Sequence, residues 1–322
     1  MPLAVLGAAV FGLSRSVHCI VPELAEIYGM DRKGREGLPH WRLEVGCAVL
    51  PKQAEMLQGR VGHDVTRVDA EGHVVVVADG VGGWVKHGVD PRQAADACVS
   101  GLLQRVKADP AKSLAGALAD VLTNEKFAGK GTTTVAAARL CPATHQLECL
   151  SVGDGVLLVF RRSPPSDGAE WRLVASVDDP ESRRSFNRPQ QVGDRAPTCT
   201  PALARVDVRL GDMVVVASDG VADNLGTDGI LHALNAPVAG FAGTAEKTAQ
   251  YLAGLAFLRS IMCVPESPPP FGPGTAVGDS AMPYNTPTPY EVHRRLSGRK
   301  ENHGGCGKRD DVSVAVGFVT EK

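Results

Sequence analysis

The chain has 322 residues, enough for one large layered domain or two smaller ones, and its 43% hydrophobic and 22% charged content excludes wholesale disorder, a collagen-like rod and a coiled coil. Lysine and arginine number 34 against 36 acids, a formal charge of −2, so no basic footprint for gripping a nucleic-acid backbone is present. The eight cysteines form no C-x-x-C pair and read as reduced thiols, mostly in the core, rather than as a zinc knuckle or a disulfide framework.

Residues 1–22 carry Arg15 as their one fixed charge and no acid, and the uncharged run Met1 to Ser14 is too short to span a bilayer. This stretch therefore reads as an apolar N-terminal extension or an organellar leader. The expected location is intracellular, cytoplasmic or mitochondrial, with no membrane partner.

Val74 to Val77 and Val214 to Val216 are β-branched runs that each stop at an Asp-Gly, Asp79-Gly80 and Asp219-Gly220, which reads as a buried strand ending in a tight turn. Asp90-Pro91 opens a helix whose apolar face runs from Ala94 to Val106, and Leu114, Leu118, Val121 and Leu122 continue the helical spacing. Leu147 to Val152 and Val156 to Phe160 flank Gly153-Asp154-Gly155, which reads as a hairpin with Asp154 exposed at its tip. Ala245 to Met262 reads as a further long helix, and residues 264–290, rich in proline, as a solvated insertion. Asp310-Asp311 precedes a last strand in which Val312, Val314, Val316 and Phe318 alternate with smaller residues. This order of elements fits an α+β fold, a mixed or antiparallel sheet with segregated helices.

If the last strand runs antiparallel to the first two, Asp79, Asp219 and Asp310 meet at one sheet edge. Acids gathered there without matching cationic partners repel one another, and a divalent cation is the natural remedy. All-oxygen ligation suits hard ions such as Mg²⁺ and Mn²⁺, two of which can share a carboxylate and activate a water. The competing local reading is that acids beside glycine are turn formers.

Asp79-Gly80-Val81-Gly82-Gly83-Trp84, Gly131-Thr132-Thr133-Thr134, Gly153-Asp154-Gly155, Ser218-Asp219-Gly220-Val221-Ala222-Asp223-Asn224 and Asp310-Asp311-Val312-Ser313-Val314 resemble, in order, the motif series of the protein phosphatase 2C family. The D-G-V-G-G-W motif, Gly88-Val89-Asp90-Pro91 and Phe186-Asn187-Arg188-Pro189-Gln190-Gln191 are similar to its mitochondrial and plastid-type branch. The resemblance spans roughly Arg42 to the C-terminus and so implies a single domain over 41–322, with residues 1–40 as an N-terminal extension or leader and the proline-rich 264–290 as an insertion.

It implies a four-layer α-β-β-α sandwich with a dinuclear metal site at one edge, and hydrolysis of phosphoserine or phosphothreonine in proteins by a water held between two Mg²⁺ or Mn²⁺ ions. By the same resemblance Asp79 would bridge the metals, the Gly80 carbonyl would bind one, and Asp219 and Asp310 would complete the other. Asp64 would reach metal-bound water, and Asp154 with Asp223 would form a third, weaker site. The implied partner is a phosphoprotein, and the implied state a monomer.

The chain departs from the pattern in three places. His63 in Gly62-His63-Asp64 stands where relatives carry an acid, and imidazole suits Mn²⁺ better than Mg²⁺. Val81 replaces a histidine that serves some members as a general acid, leaving His87 as a nearby stand-in or a plain surface residue. Gly155 replaces a serine. Arg60 is the candidate clamp for substrate phosphate. His63 also motivates the alternative of a metal-impaired pseudophosphatase that binds without turnover. A dinucleotide oxidoreductase lacks the G-x-G-x-x-G spacing.

Overall fold

The apolar runs are strands because both of their faces are covered. In the computed structural model every residue of β3 (Val74–Ala78) and β11 (Met213–Ala217) is buried, the signature of strands sandwiched between two layers. Val75 and Val77 meet Val214 and Val216 in one apolar cluster, whereas Val74, Val76 and Ala78 join a second cluster and Met213, Val215 and Ala217 a third. The structure describes residues 41–71, 73–123, 129–179, 182, 188–194, 199–236, 243–261, 288–297 and 307–321. The expected extension over 1–40, and the proline-rich stretch up to residue 287, lie outside the described residues.

Two five-stranded antiparallel sheets stack on each other. One has the order β1 (Trp41–Leu50), β12 (Val312–Glu321), β11, β7 (Val156–Arg162), β8 (Trp171–Val177). The other has the order β10 (Ala202–Asp207), β6 (Gln146–Val152), β5 (Val135–Cys141), β3, β2 (Val65–Val68). A short pair, β4 (Thr132–Thr133) with β9 (Val192–Gly193), lies beside them. Helices α1 (Arg92–Ala108) and α2 (Leu114–Leu122) cover the second sheet, and α3 (Asp219–Asn235) and α4 (Ala245–Ile261) cover the first. The result is the expected four-layer α-β-β-α sandwich. Among the described residues no helix is long and apolar enough to cross a membrane.

Three expectations change. The turn Gly153-Asp154-Gly155 is not a hairpin, because β6 and β7 belong to different sheets and the turn carries the chain across the sandwich. Asp154 is consequently half-buried rather than exposed at a tip. The stretch expected as loop through residue 290 already turns helical at Pro289, where α5 (Pro289–Ser297) begins with proline in the position that needs no amide donor. Of the five described cysteines, Cys98 and Cys149 are buried, Cys199 packs against the core, Cys141 is partly covered and Cys47 is exposed.

The start of α2 shows how local chemistry fixes an element. Ser113 caps it, its Oγ accepting the Gly116 amide at 3.1 Å, and Glu148 Oε1 accepts the Leu114 amide at 2.9 Å. Ser113→Ala removes one of these two acceptors from otherwise orphaned helix donors and is expected to cost about 1 kcal/mol. A shift of the urea midpoint with unchanged slope would report it, and no shift would mean that Glu148 alone secures this end.

Candidate metal centre

Asp79 follows β3, and its placement is set by the threonine run. The Asp79 carbonyl accepts the Thr134 amide at 2.9 Å and Thr133 Oγ1 at 2.7 Å, and the Val81 amide donates to the Thr132 carbonyl at 3.0 Å. Trp84 Nε1 donates to Thr132 Oγ1 at 2.7 Å, and that hydroxyl donates to Gln191 Oε1 at 2.6 Å. A Cβ at Gly80 would sit 2.3 Å from the Pro91 carbonyl oxygen, so the turn after β3 lies against the start of α1. Four of the sequence motifs thus form one framework round the Asp79 turn.

The second acid follows β11 in the opposite sheet. The Ser218 amide donates to the Ser313 carbonyl at 2.9 Å and the Ser313 amide to Ser218 Oγ at 3.0 Å, which fastens the start of α3 to the start of β12. Asp219 and Asp310 thereby come together, as the antiparallel pairing of β11 and β12 requires. The Asp79 strand reaches them from across the sandwich rather than along a shared sheet edge, since β3 pairs with β2 and β5. The meeting place is one end of the sandwich.

A cavity of about 320 Å³ opens there, and Asp79, Gly80, Asp154, Asp219, Asp310 and His63 all line it. Asp64 is fully buried, and its carboxylate meets the Ser218 hydroxyl and the Asp79 carboxyl without a well-formed hydrogen bond to either; Asp219 Oδ1 is unpartnered. Burial pushes Asp64 up to about 7, with Asp311 and then Asp310 adding to the push. Burial and the charges of Asp64, Asp219 and Asp310 hold Asp79 well above the usual carboxylate range. Asp154 rises to about 6 by burial, against the pull of Lys308, and burial raises Asp219 and Asp223 against the same lysine. Carboxylates so crowded gain from any positive charge placed among them.

Asp311 has a different task. Its Oδ1 accepts the Lys52 amide at 2.7 Å and its Oδ2 the His63 amide at 2.6 Å, so it holds the loop that carries Asp64. The His63 ring lies 3.9 Å from the same carboxylate and faces the cavity. Gly155 is pressed against the Ala217 carbonyl, 2.9 Å from where a Cβ would be. Any side chain there, serine included, would need the backbone to shift.

Other expected residues fall elsewhere. Arg60 pairs with Glu55 at 2.9 Å and with Gln58 on an exposed loop and does not line the cavity. Lys52 and Arg188 do line it. The expectation that the acids lack a cationic partner is overturned by Lys308, whose ammonium touches Asp219 and lies 3.1 Å from Asp223 and 3.2 Å from Asp310. Lys308 was not among the residues expected from the sequence, although a lysine two residues from a proposed ligand is a usable signal.

No family model matches the chain. The protein phosphatase PTC7 homolog of Homo sapiens is 32% identical over 173 residues, which is 47% of this chain and 52% of that protein. The chain thus spans about half the length of the first curated relatives it matches. Among solved structures, the photosystem II phosphatase PBCP superposes with a TM-score of 0.65 at 24% identity, covering 86% of this chain and 99% of that one. The catalytic domain of the serine/threonine phosphatase PstP, solved with two manganese ions, superposes with a TM-score of 0.50 at 17% identity over 87% of this chain and 99% of that one.

Proposed function

We propose that this chain, which carries the fold and the ordered motif series of the protein phosphatase 2C family, is a metal-dependent hydrolase of phosphoserine and phosphothreonine in proteins. The observation that carries the reading is the convergence of Asp79, Asp154, Asp219 and Asp310 on one cavity, beside the fully buried Asp64.

The donor set fits two hard divalent cations, because every candidate ligand except the His63 imidazole is an oxygen, and Asp219 Oδ1 is left without a partner by the protein itself. Asp79 would be shared, with Asp64 and the Gly80 carbonyl on one side and Asp219 and Asp310 on the other. When bound, such a pair of ions supplies charge compensation and lowers the pKa of a water to the physiological range. The chain provides the rest. The threonine run holds the Asp79 turn, the Ser218 and Ser313 bonds hold Asp219 beside Asp310, and Lys52 and Arg188 face the space that a phosphoryl dianion would fill. The pseudophosphatase alternative gains nothing from the geometry, since His63 leaves all the acids in place.

Phosphate release from a phosphothreonine peptide, present with Mn²⁺ and abolished by EDTA, tests the reading. A protein that binds Mn²⁺ yet releases no phosphate from any such peptide would sink it. Arg188 is exposed and has no place among the proposed metal ligands, so Arg188→Ala is expected to raise KM by about tenfold with kcat little changed, the mark of lost uniform binding. Arg60→Ala should leave both constants unchanged, and a KM effect at Arg60 with none at Arg188 would reverse the assignment.

A further inference from the structure

Asp179 stands two residues beyond β8, almost fully buried and outside the lining of the metal cavity. Its carboxylate gathers donors from three separate stretches of chain. Oδ2 accepts the Gly153 amide at 3.2 Å and the Ser182 hydroxyl at 3.0 Å, and Oδ1 accepts Nε2 of Gln190 at 3.2 Å. Ser182 Oγ accepts in its turn the backbone amide of Gln190 at 3.1 Å. Gln190 is thus gripped by main chain and side chain at once, and both grips lead back to one buried carboxylate.

The turn after β6 presses on the same residue. A Cβ at Gly153 would lie 2.6 Å from Thr134 Cβ and 3.2 Å from the Gln190 carbonyl oxygen. Beyond Gln190, the Gln191 side chain accepts the Thr132 hydroxyl and β9 pairs with β4, so the chain that follows is fastened to the framework round the Asp79 turn. On the other side, Arg188 and Pro189 line the cavity together with Gln191. The ring of Pro189 locks its own φ and confines Arg188 to extended backbone. The placement of Gln190 is therefore handed on to Arg188 through few free torsions.

We propose that Asp179 is a positioning residue that presents Arg188 to the substrate phosphate through Ser182 and Gln190, without touching metal or substrate itself. The inference rests on the reading of the cavity as a phosphatase centre in which Arg188 meets the phosphoryl group, and it deepens that reading. A guanidinium fork matches a phosphoryl dianion in a defined orientation. Fixing the backbone that carries the fork before substrate arrives spares the complex the cost of ordering it.

Steady-state kinetics of the full chain on a phosphothreonine peptide with Mn²⁺ test this. Asp179→Asn keeps the shape of the side chain but turns one acceptor into a donor, facing donors from Gly153, Ser182 and Gln190. It is expected to raise KM about fivefold with kcat little changed, less than Arg188→Ala because the guanidinium is displaced rather than removed. In the Arg188→Ala background the same change should add nothing further to KM, since it acts through the missing side chain, whereas a general loosening of the domain would multiply with Arg188→Ala. An unchanged KM, an effect on kcat larger than that on KM, or effects that multiply would overturn the inference and leave the phosphatase reading intact. A wild type without turnover would overturn both. Should Asp179→Asn fail to fold, Gln190→Ala, at a partly buried residue, decides the matter: a similar rise in KM that Arg188→Ala masks supports the clamp, and an unaltered KM refutes it.

Discussion

Asp79→Asn is expected to lower Mn²⁺-dependent turnover of a phosphothreonine peptide on the order of 10³-fold, because on the proposed reading it removes a ligand common to both cations and with it several kcal/mol of transition-state charge stabilisation. The same change should raise the melting temperature of the metal-free protein. The two effects have one cause. Asp79 stands among Asp64, Asp219 and Asp310 in a buried pocket, and each of these charges pushes its carboxyl well above the ordinary range. Without metal, burial and the neighbouring charges thus make folding costly for this carboxyl at neutral pH, whether it stays ionised or takes up a proton, and asparagine relieves that cost.

The pH dependence of the metal-free protein follows from the same crowding. Asp64 titrates at about 7 and Asp154 at about 6 when folded, above the ordinary carboxylate value. A carboxyl whose folded pKa is raised favours the folded state fully below its unfolded pKa, near 4, and loses that contribution as pH rises through its folded pKa. Stability in EDTA should accordingly fall between roughly pH 4 and pH 7, and Mn²⁺ should restore it at the upper end. Scanning fluorimetry across that range, with EDTA and with Mn²⁺, would show it. An EDTA profile that climbs with pH, or an Asp79→Asn protein that melts below wild type without metal, would contradict the charge-crowding account.

Much of this centre was legible in the sequence because it is built from strand ends. Two β-branched runs stopping at Asp79 and Asp219, and one starting after Asp310, predict convergence from strand direction alone, and β11 and β12 pair as that argument requires. Which sheet a strand joins was not legible. Gly153-Asp154-Gly155 offers the same local turn chemistry to a hairpin and to a crossing between sheets, and only the distant partners of β6 and β7, namely β10 and β5 for one and β11 and β8 for the other, decide between them. The cationic residues were hidden for a similar reason. Arg60 lies close in sequence to Asp64 but its loop turns outward to Glu55, whereas Lys308 and Arg188, remote from the first acids in sequence, are brought to the cavity by tertiary packing.

Gly220→Ala is expected to cost about 3 kcal/mol, the upper end of the penalty for overpacking, and to weaken Mn²⁺ binding as well. The backbone at Gly220 has an ordinary φ, so the constraint is one of space. A Cβ there would lie 1.9 Å from the Asp311 carbonyl oxygen and 3.3 Å from Val312 Cα, both backbone atoms that cannot rotate away. Relief requires the start of α3 to part from the start of β12, which stretches the Ser218 and Ser313 bonds and separates Asp219 from Asp310. Gly254 is the control, since it lies inside α4 with nothing within 4 Å of its would-be Cβ. Gly254→Ala should gain roughly 0.5–1 kcal/mol from helix propensity and leave metal binding untouched. Chemical denaturation and Mn²⁺ titration of both variants separate a local steric wedge at the metal centre from a general response to lost glycine. If Gly220→Ala folds with wild-type stability and binds Mn²⁺ as tightly as before, the close seating of α3 on β12 is not what sets the spacing of these two carboxylates.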